Sequence, residues 1–297
     1  MKKNIKILKE FEDDDIKEEL ITYTSQKEFS KIIETISKNN IDISDLEKTL
    51  KKVSEKKQTE QVISLGQSSF YYAYFSDAHI GHKMFNEKLF SKFLKIIKQR
   101  KVDFVLNIGD TLEGMSGREG HVYELNQIGF EQQFKYAISL LQEIEVPVYA
   151  IDGNHDMWYY NKSDLGIIVG KMLEEKLGKD KYSFLGQMEG ELLVDKIRIM
   201  LYHANDRSSY GASYQIEKLI DSLEARGKPN IVHSGHYHKY LYIFRRNIHG
   251  FESGSLCNAT PYMRGKKIVP NVGFGLVRVY HNKQGEVTRI HEEFYPE

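Results

Sequence analysis

From residue 69 onward, short apolar runs rich in β-prone residues alternate with longer stretches of helical period. Phe70–Phe75, Phe104–Ile108, Val146–Ile151, Ile197–Tyr202 and Asn230–Val232 read as strands, with helices near 85–99, 123–143, 163–177 and 211–225 between them. Such alternation predicts a largely parallel sheet covered by helices, an α/β fold. After residue 238 the pattern turns β-rich, in Tyr240–Arg245, Val272–Tyr280 and Val287–Phe294.

The first 65 residues have a different texture. They hold no Gly, Pro or Ala, and their 13 Lys against 14 Asp plus Glu leave a net charge of −1. We therefore divide the chain into an N-terminal helical segment, 1–65, and a main domain, 66–297. Ser25-x-x-Glu28 and Ser44-x-x-Glu47 fit the capping box that opens a helix. Phe29, Ile32, Ile33 and Ile36 then follow one helical face, as do Leu46, Leu50 and Val53. The pair outlines a helix-turn-helix whose Lys48, Lys51, Lys52, Lys56 and Lys57 could meet phosphates; the favoured reading is a helical hairpin with a solvated lysine face.

Composition narrows the classes. The 297 residues are 40% hydrophobic and 28% charged, too apolar for wholesale disorder. Lys plus Arg equals Asp plus Glu at 42 each, so nucleic-acid binding needs a local basic patch. Arg245, Arg246, Arg264, Lys266 and Lys267 are candidates for a phosphate-steering rim, or for a solvated loop cluster. One cysteine, Cys257, excludes an internal disulfide and a cysteine-rich zinc site. No run approaches the roughly 18 apolar residues of a spanning helix, and residues 10–15, acidic except for Phe11, stand where a secretory signal would be apolar. A cytoplasmic protein with no membrane partner is the expectation.

The chemistry gathers at strand ends. Asp77 and His79 follow the first strand, Asp110 the second, Asn154, His155 and Asp156 the third, His203 the fourth, and His236 and His238 the fifth. In parallel α/β sheets the carboxyl ends of strands are where ligands bind. Asp77/His79 and His236/His238 are i, i+2 pairs, which extended chain would point the same way. Two Asp, one Asn and four His offer oxygen and imidazole without thiolate, a set that suits Mn, Fe, Zn or similar divalent ions. Seven donors exceed one four-coordinate ion and divide over two if one Asp is shared. Paired metals are a device for in-line displacement at phosphorus.

The series Asp77-x-His79, Gly109-Asp110, Gly153-Asn154-His155-Asp156, His203 and Gly235-His236-x-His238 resembles the calcineurin-like metallophosphoesterase superfamily over about residues 68–280. Ser253-Gly254-Ser255 and Thr260-Pro261-Tyr262-Met263-Arg264 also look like phage and prokaryotic members related to DNA repair exonucleases. The resemblance implies a four-layer αββα sandwich behind the small helical segment. It implies one metal on Asp77, His79, Asp110 and His238, and a second on Asp110, Asn154, His203 and His236. His155 would be the general acid, Asp156 a companion that helps hold its loop, and Arg264 and Lys266 would touch substrate. Two divalent ions are implied, Mn2+ first, with Fe, Zn, Ni or Mg as alternatives. The implied reaction is hydrolysis of a phosphate ester by a metal-bridging hydroxide. A phosphodiesterase or nuclease acting on DNA or RNA is the leading expectation. Alternatives are a phosphomonoesterase acting on nucleotides or phosphoproteins, and an inactive binding or scaffold subunit. The native substrate, metal and oligomeric state are not encoded in these motifs.

Overall fold

A computed structural model describes residues 60–162, 165–206, 211, 213–224 and 227–297. The two capping boxes and the lysine-bearing second helix of the N-terminal segment lie outside the described residues.

Among the described residues, twelve strands form two six-stranded sheets. The first is built on β2 (Ser69–Phe75), β3 (Phe104–Asn107), β4 (Val148–Asp152) and β5 (Tyr182–Gln187), all parallel. Antiparallel β11 (Gly273–His281) and β12 (Val287–Pro296) extend it beside β2. The second sheet runs in the order β1 (Glu60–Ile63), β6 (Glu189–Val194), β7 (Ile197–His203), β8 (Ile231–Gly235), β10 (Ile248–Ser253) and β9 (Tyr240–Arg245). It too is mixed: β7, β8 and β10 are parallel neighbours, so each sheet has a parallel centre with antiparallel pairing outside it. The sheet hydrogen bonding also begins at Glu60, ahead of residue 66.

Alternation along β2 explains the layering. Phe70, Tyr72 and Tyr74 face the second sheet, where they pack with Leu192, Ile199, Leu201 and Phe251. Tyr71, Ala73 and Phe75 face helices α1 (Glu87–Arg100), α2 (Gly129–Leu141) and α3 (Val169–Leu177). Both faces are buried, so the strand reads as an unbroken apolar run. On the far side of the second sheet, Ile216 and Ile220 of α4 (Tyr214–Ser222) cover Met200, Val232 and Ile248. Helix, sheet, sheet, helix is the αββα sandwich the sequence motifs imply. A short fifth helix, α5 (Pro261–Gly265), stands at the rim, capped by the Thr260 hydroxyl on the Met263 amide.

Helix α1 starts where Asn86 accepts the Leu89 amide hydrogen and stops where Lys101 turns left-handed. Two helices begin later than their periodicity suggests. Before α2, residues 121–124 form a single 3-10 turn, and Ile128 is extended. Strands β5, β6 and β10 escape the sequence pattern because Gly186, Gly190 and Gly250 interrupt their apolar alternation. Among the described residues no helix is long and apolar enough to cross a membrane.

Candidate metal centre

All five motif-bearing segments meet at one end of the sandwich. The loop after β2 is pinned to the loop after β3 by Asp77 N–H to Gly109 O (3.1 Å) and His79 N–H to Asp110 O (3.0 Å). His203 ends β7, and His236 and His238 follow β8. The side-chain pairs do not converge through extended geometry. Asp77, His79, Asp110, His236 and His238 all have positive φ, between 50° and 90°. The chain leaves β2, β3 and β8 in a tight left-handed bend, and it is this bend that aims their side chains. Such backbone is costly for residues with a Cβ and persists where surroundings enforce it.

Three groups of donors result among the described residues; His79 with Glu113 and His155 is one, and the other two hold motif residues alone. Of these two, Asp77, His79 and His238 form the first and Asp110, His203 and His236 the second. In the first, His238 Nε2 lies 3.2 Å from Asp77 Oδ1 and 3.1 Å from His79 Nε2. In the second, His203 Nε2 stands 3.2 Å from Asp110 Oδ2. The same oxygen is 3.8 Å from His79 Nε2, so Asp110 sits between the groups. Asn154 Oδ1 lies 2.8 Å from His236 Nδ1 at the cleft side.

These atoms fit a cation better than they fit each other. His203 Nδ1 donates to the Ile108 carbonyl (2.7 Å), which leaves Nε2 as a bare lone pair, buried and without a hydrogen-bond partner. His79 Nδ1 donates to Glu113 Oε2 (2.7 Å), so its Nε2 is likewise an acceptor facing the centre. His236 Nε2 donates to the Asp206 carbonyl (2.9 Å), and its Nδ1 then meets the Asn154 oxygen as acceptor against acceptor. Buried lone pairs pointed at common spots, with two buried carboxylates, are a divalent-cation donor set. Charge says the same. Burial would raise the Asp77 and Asp110 carboxyls, but the neighbouring imidazoles outweigh it and hold both well below the usual range. Without a cation, the Asp110 charge draws a proton onto His203 against its burial and pushes it up to about 10; a divalent ion would take that proton's place.

Glu113 is the residue the motifs missed. Buried under the site, its carboxylate takes His79 Nδ1 on one oxygen and His121 Nε2 on the other, each at 2.7 Å. An acidic residue three positions after Asp110, in the same strand-end loop, was the available signal. Such a carboxylate fixes the tautomer and orientation of a ligating histidine. His121 and His82 both line the cleft.

His155 stands beside the first group, its ring centroid 4.5 Å from that of His79 and perpendicular to it. Its Nδ1 donates to the Glu113 carbonyl (2.7 Å), leaving Nε2 as its other polar atom. Burial opposes protonation of His155, but Asp110 and Glu113 prevail and raise its pKa. Asp156 turns the other way. It is fully buried, accepting the amides of Thr111 (3.0 Å), Leu112 (2.8 Å) and Gly153 (2.9 Å), so it ties the Asp110 loop to the His155 loop and does not line the cleft. Burial and the Asp110 charge push its carboxyl up to about 7.

The open side is a cleft of about 870 Å3 walled by the 113–124 loop, Trp158, Tyr237 and α5. Lys266 lines it, whereas Arg264 donates to the Ala259 carbonyl and is not among the lining residues. The basic cluster is thus split. Arg245 pairs with Asp221 and Glu217 of α4, and Arg246 donates to carbonyls at the end of that helix. Across the mouth, the Arg118 guanidinium lies 5.8 Å from the Tyr262 ring centre.

Residues 71–269 match the family model of the calcineurin-like phosphoesterase superfamily domain. The chain is 25% identical over 254 residues to the DNA polymerase II small subunit of Methanothermobacter thermautotrophicus, covering 70% of this chain and 52% of that one. It is 24% identical over 277 residues to the Archaeoglobus fulgidus protein of the same name, covering 77% and 54%. The chain therefore spans about half the length of the curated relatives it matches. Among solved structures, a novel archaeal phosphodiesterase aligns with a TM-score of 0.45 at 14% identity, over 76% of this chain and 99% of its own. Zinc-complexed Vps29 from Entamoeba histolytica aligns at 0.42 and 14%, over 75% and 98%.

Proposed function

The chain belongs to the calcineurin-like phosphoesterase superfamily, and from that premise we propose that it is a dinuclear-metal-dependent phosphodiesterase acting on nucleic acid. The observation that carries this reading is the meeting of two buried donor groups at Asp110. In it, Asp77, His79, Asp110 and His238 would hold one divalent ion, and Asp110, Asn154, His203 and His236 would hold the other, with Mn2+ the expected metal. When bound, such a pair supplies a nucleophile from water at neutral pH and polarises the phosphoryl oxygens.

The protein's own groups do the rest. Glu113 keeps the His79 ring with Nε2 inward. Asp156, through three amides, holds the Asp110 and His155 loops at fixed separation. His155, anchored through Nδ1 to the Glu113 carbonyl, offers Nε2 to the departing alkoxide as its proton donor. A positioned acid of this kind contributes about 10²–10⁴-fold. Lys266 at the cleft supplies positive charge toward an anionic substrate. Tyr262, exposed at the cleft, carries an aromatic ring of the kind on which bases stack. The names of the two polymerase small subunits support DNA as the partner class. They also give weight to a second reading, a binding subunit whose ester chemistry is idle; the complete donor set speaks against it.

The test is a substrate panel with Mn2+: bis-p-nitrophenyl phosphate, p-nitrophenyl phosphate, and labelled single- and double-stranded DNA, using the chain with and without residues 1–65. Faster turnover of the diester and cleavage of DNA are expected. Preference for the monoester would establish the phosphomonoesterase alternative, and no Mn2+-dependent turnover on any ester would establish the idle subunit.

A further inference from the structure

A second charged groove lies at the other end of the first sheet, where β2 starts, β11 ends and β12 begins. Its volume is about 540 Å3, within the range of ligand-sized cavities. It opens on the helix-side face, past the last turn of α1. In the sheet register Tyr71 is opposite Arg278, Arg278 opposite His291, and Tyr280 opposite Arg289. The two arginines therefore sit diagonally across neighbouring strands, about 7–8 Å apart at the backbone.

Each guanidinium lies on a tyrosine. Arg278 is 4.2 Å from the centre of the Tyr71 ring, and Arg289 is 3.9 Å from that of Tyr280. Neither is in an ion pair or side-chain hydrogen bond among the described residues. The groove's one carboxylate does not neutralise them. Glu293 is taken up by Arg100 (2.5 Å), the Tyr295 hydroxyl (2.7 Å) and the Tyr71 hydroxyl (3.3 Å). Stacking holds a guanidinium flat and leaves its N–H fork free, the arrangement that recognises phosphate in two-point fashion. Arg100, Arg278 and Arg289 against Glu293 leave the groove with a net charge of +2 before His291 is counted.

We propose that this groove is an anion site in which Arg278 and Arg289 together bind a phosphate group. Tyr71 stands six residues before Asp77 on the same strand and loop, about 20 Å of extended chain, so a phosphate here does not touch the metal centre. The phosphate's source is either a small phosphorylated molecule or the backbone of a nucleic-acid strand.

The test uses the full-length protein with Mn2+ and the double variant Arg278→Gln/Arg289→Gln. Inorganic phosphate is titrated calorimetrically. A labelled single-stranded oligonucleotide with hydrolysis-resistant phosphorothioate linkages is followed by anisotropy. Weakening of phosphate binding by tenfold or more supports the site. If the oligonucleotide weakens with it, and its salt dependence flattens by about 0.7 per lost contact, the ligand is a strand; if only phosphate weakens, it is a small molecule. Inhibition of bis-p-nitrophenyl phosphate turnover by phosphate, which reads the metal centre, is expected to be unchanged. Arg289 is exposed, so Arg289→Gln alone guards against a folding defect and should weaken binding at least threefold. Unaltered binding of both probes to the folded variants overturns the proposal.

Discussion

Asp110 serves three neighbours with two oxygens. Oδ2 faces His203 and His79, while Oδ1 accepts the His155 amide at 2.8 Å. Its charge and its loop geometry thus act on both donor groups and on the proposed acid. Asp110→Asn keeps the shape and removes the charge, so metal content should fall below two equivalents and hydrolysis should be lost. His155→Asn should separate from it, with metal retained and turnover of poor leaving groups reduced about 10²–10⁴-fold. Plasma emission spectrometry beside a leaving-group series checks both, and normal turnover of an alkyl ester by the His155 variant would remove the acid assignment. Glu113 belongs to the same scale, because it touches the proposed ligand His79 and not the proposed ions. Glu113→Gln replaces one accepting oxygen by a donor and leaves one of the two imidazole N–H groups badly matched. Metal affinity should weaken by about 10–100-fold, read by competition with a chromogenic chelator.

At the scale of elements, the site is made by loops that could not be this close without small residues. A Cβ on Gly153 would stand 2.2 Å from Asp110 Oδ1 and 2.4 Å from Asp110 N. Gly153→Ala should therefore displace the Asp110 loop while leaving every donor side chain in the sequence. The expected outcome is a folded protein with lower melting temperature and weakened metal binding, checked by thermal unfolding with and without Mn2+; unchanged metal affinity would mean the loops have slack. The same loops show what the sequence conceals. Asp77 and His79 were legible as site residues because each follows an apolar run. Their left-handed backbone was not, since it follows from hydrogen bonds to Gly109 and Asp110, some thirty residues away. Glu113 was silent for a similar reason: its partners His79 and His121 come from two different loops. Strands β5 and β6, whose apolar alternation Gly186 and Gly190 interrupt, are joined by a turn at Met188 that passes the chain between sheets in one residue. Periodicity reports a strand's two faces and says nothing of which sheet it joins.

Across the whole molecule, the space between the two sheets must be apolar enough to stack Phe70, Tyr72 and Phe104, yet it encloses a histidine. His233 on β8 is fully buried, stacked on Phe251 with ring centres 4.8 Å apart. Its Nε2 lies 2.8 Å from the Tyr72 hydroxyl of the opposite sheet, and its Nδ1 3.2 Å from Ser253 Oγ. Hydroxyls can satisfy a neutral imidazole completely, but among the described residues no carboxylate is bonded to it that would hold a proton there. Burial therefore pushes its pKa down to about 3. The unfolded chain has the ordinary value near 6.5, so below that pH the unfolded state binds the proton first. The stabilising contribution is present above about pH 6.5 and is lost as pH falls toward 3. By pH 4 the loss is on the order of 3 kcal/mol, at about 1.4 kcal/mol per pH unit. His233→Gln keeps a donor and an acceptor without titrating. It should start about 1–3 kcal/mol less stable at pH 7, from imperfect hydrogen bonding and packing, and then decline less steeply. Urea unfolding of both proteins at pH 7 and pH 4, in chelator so that metal release does not intrude, measures the difference. Converging stabilities at acid pH are the expected result, and parallel declines would show that the sheets are forced apart by other groups.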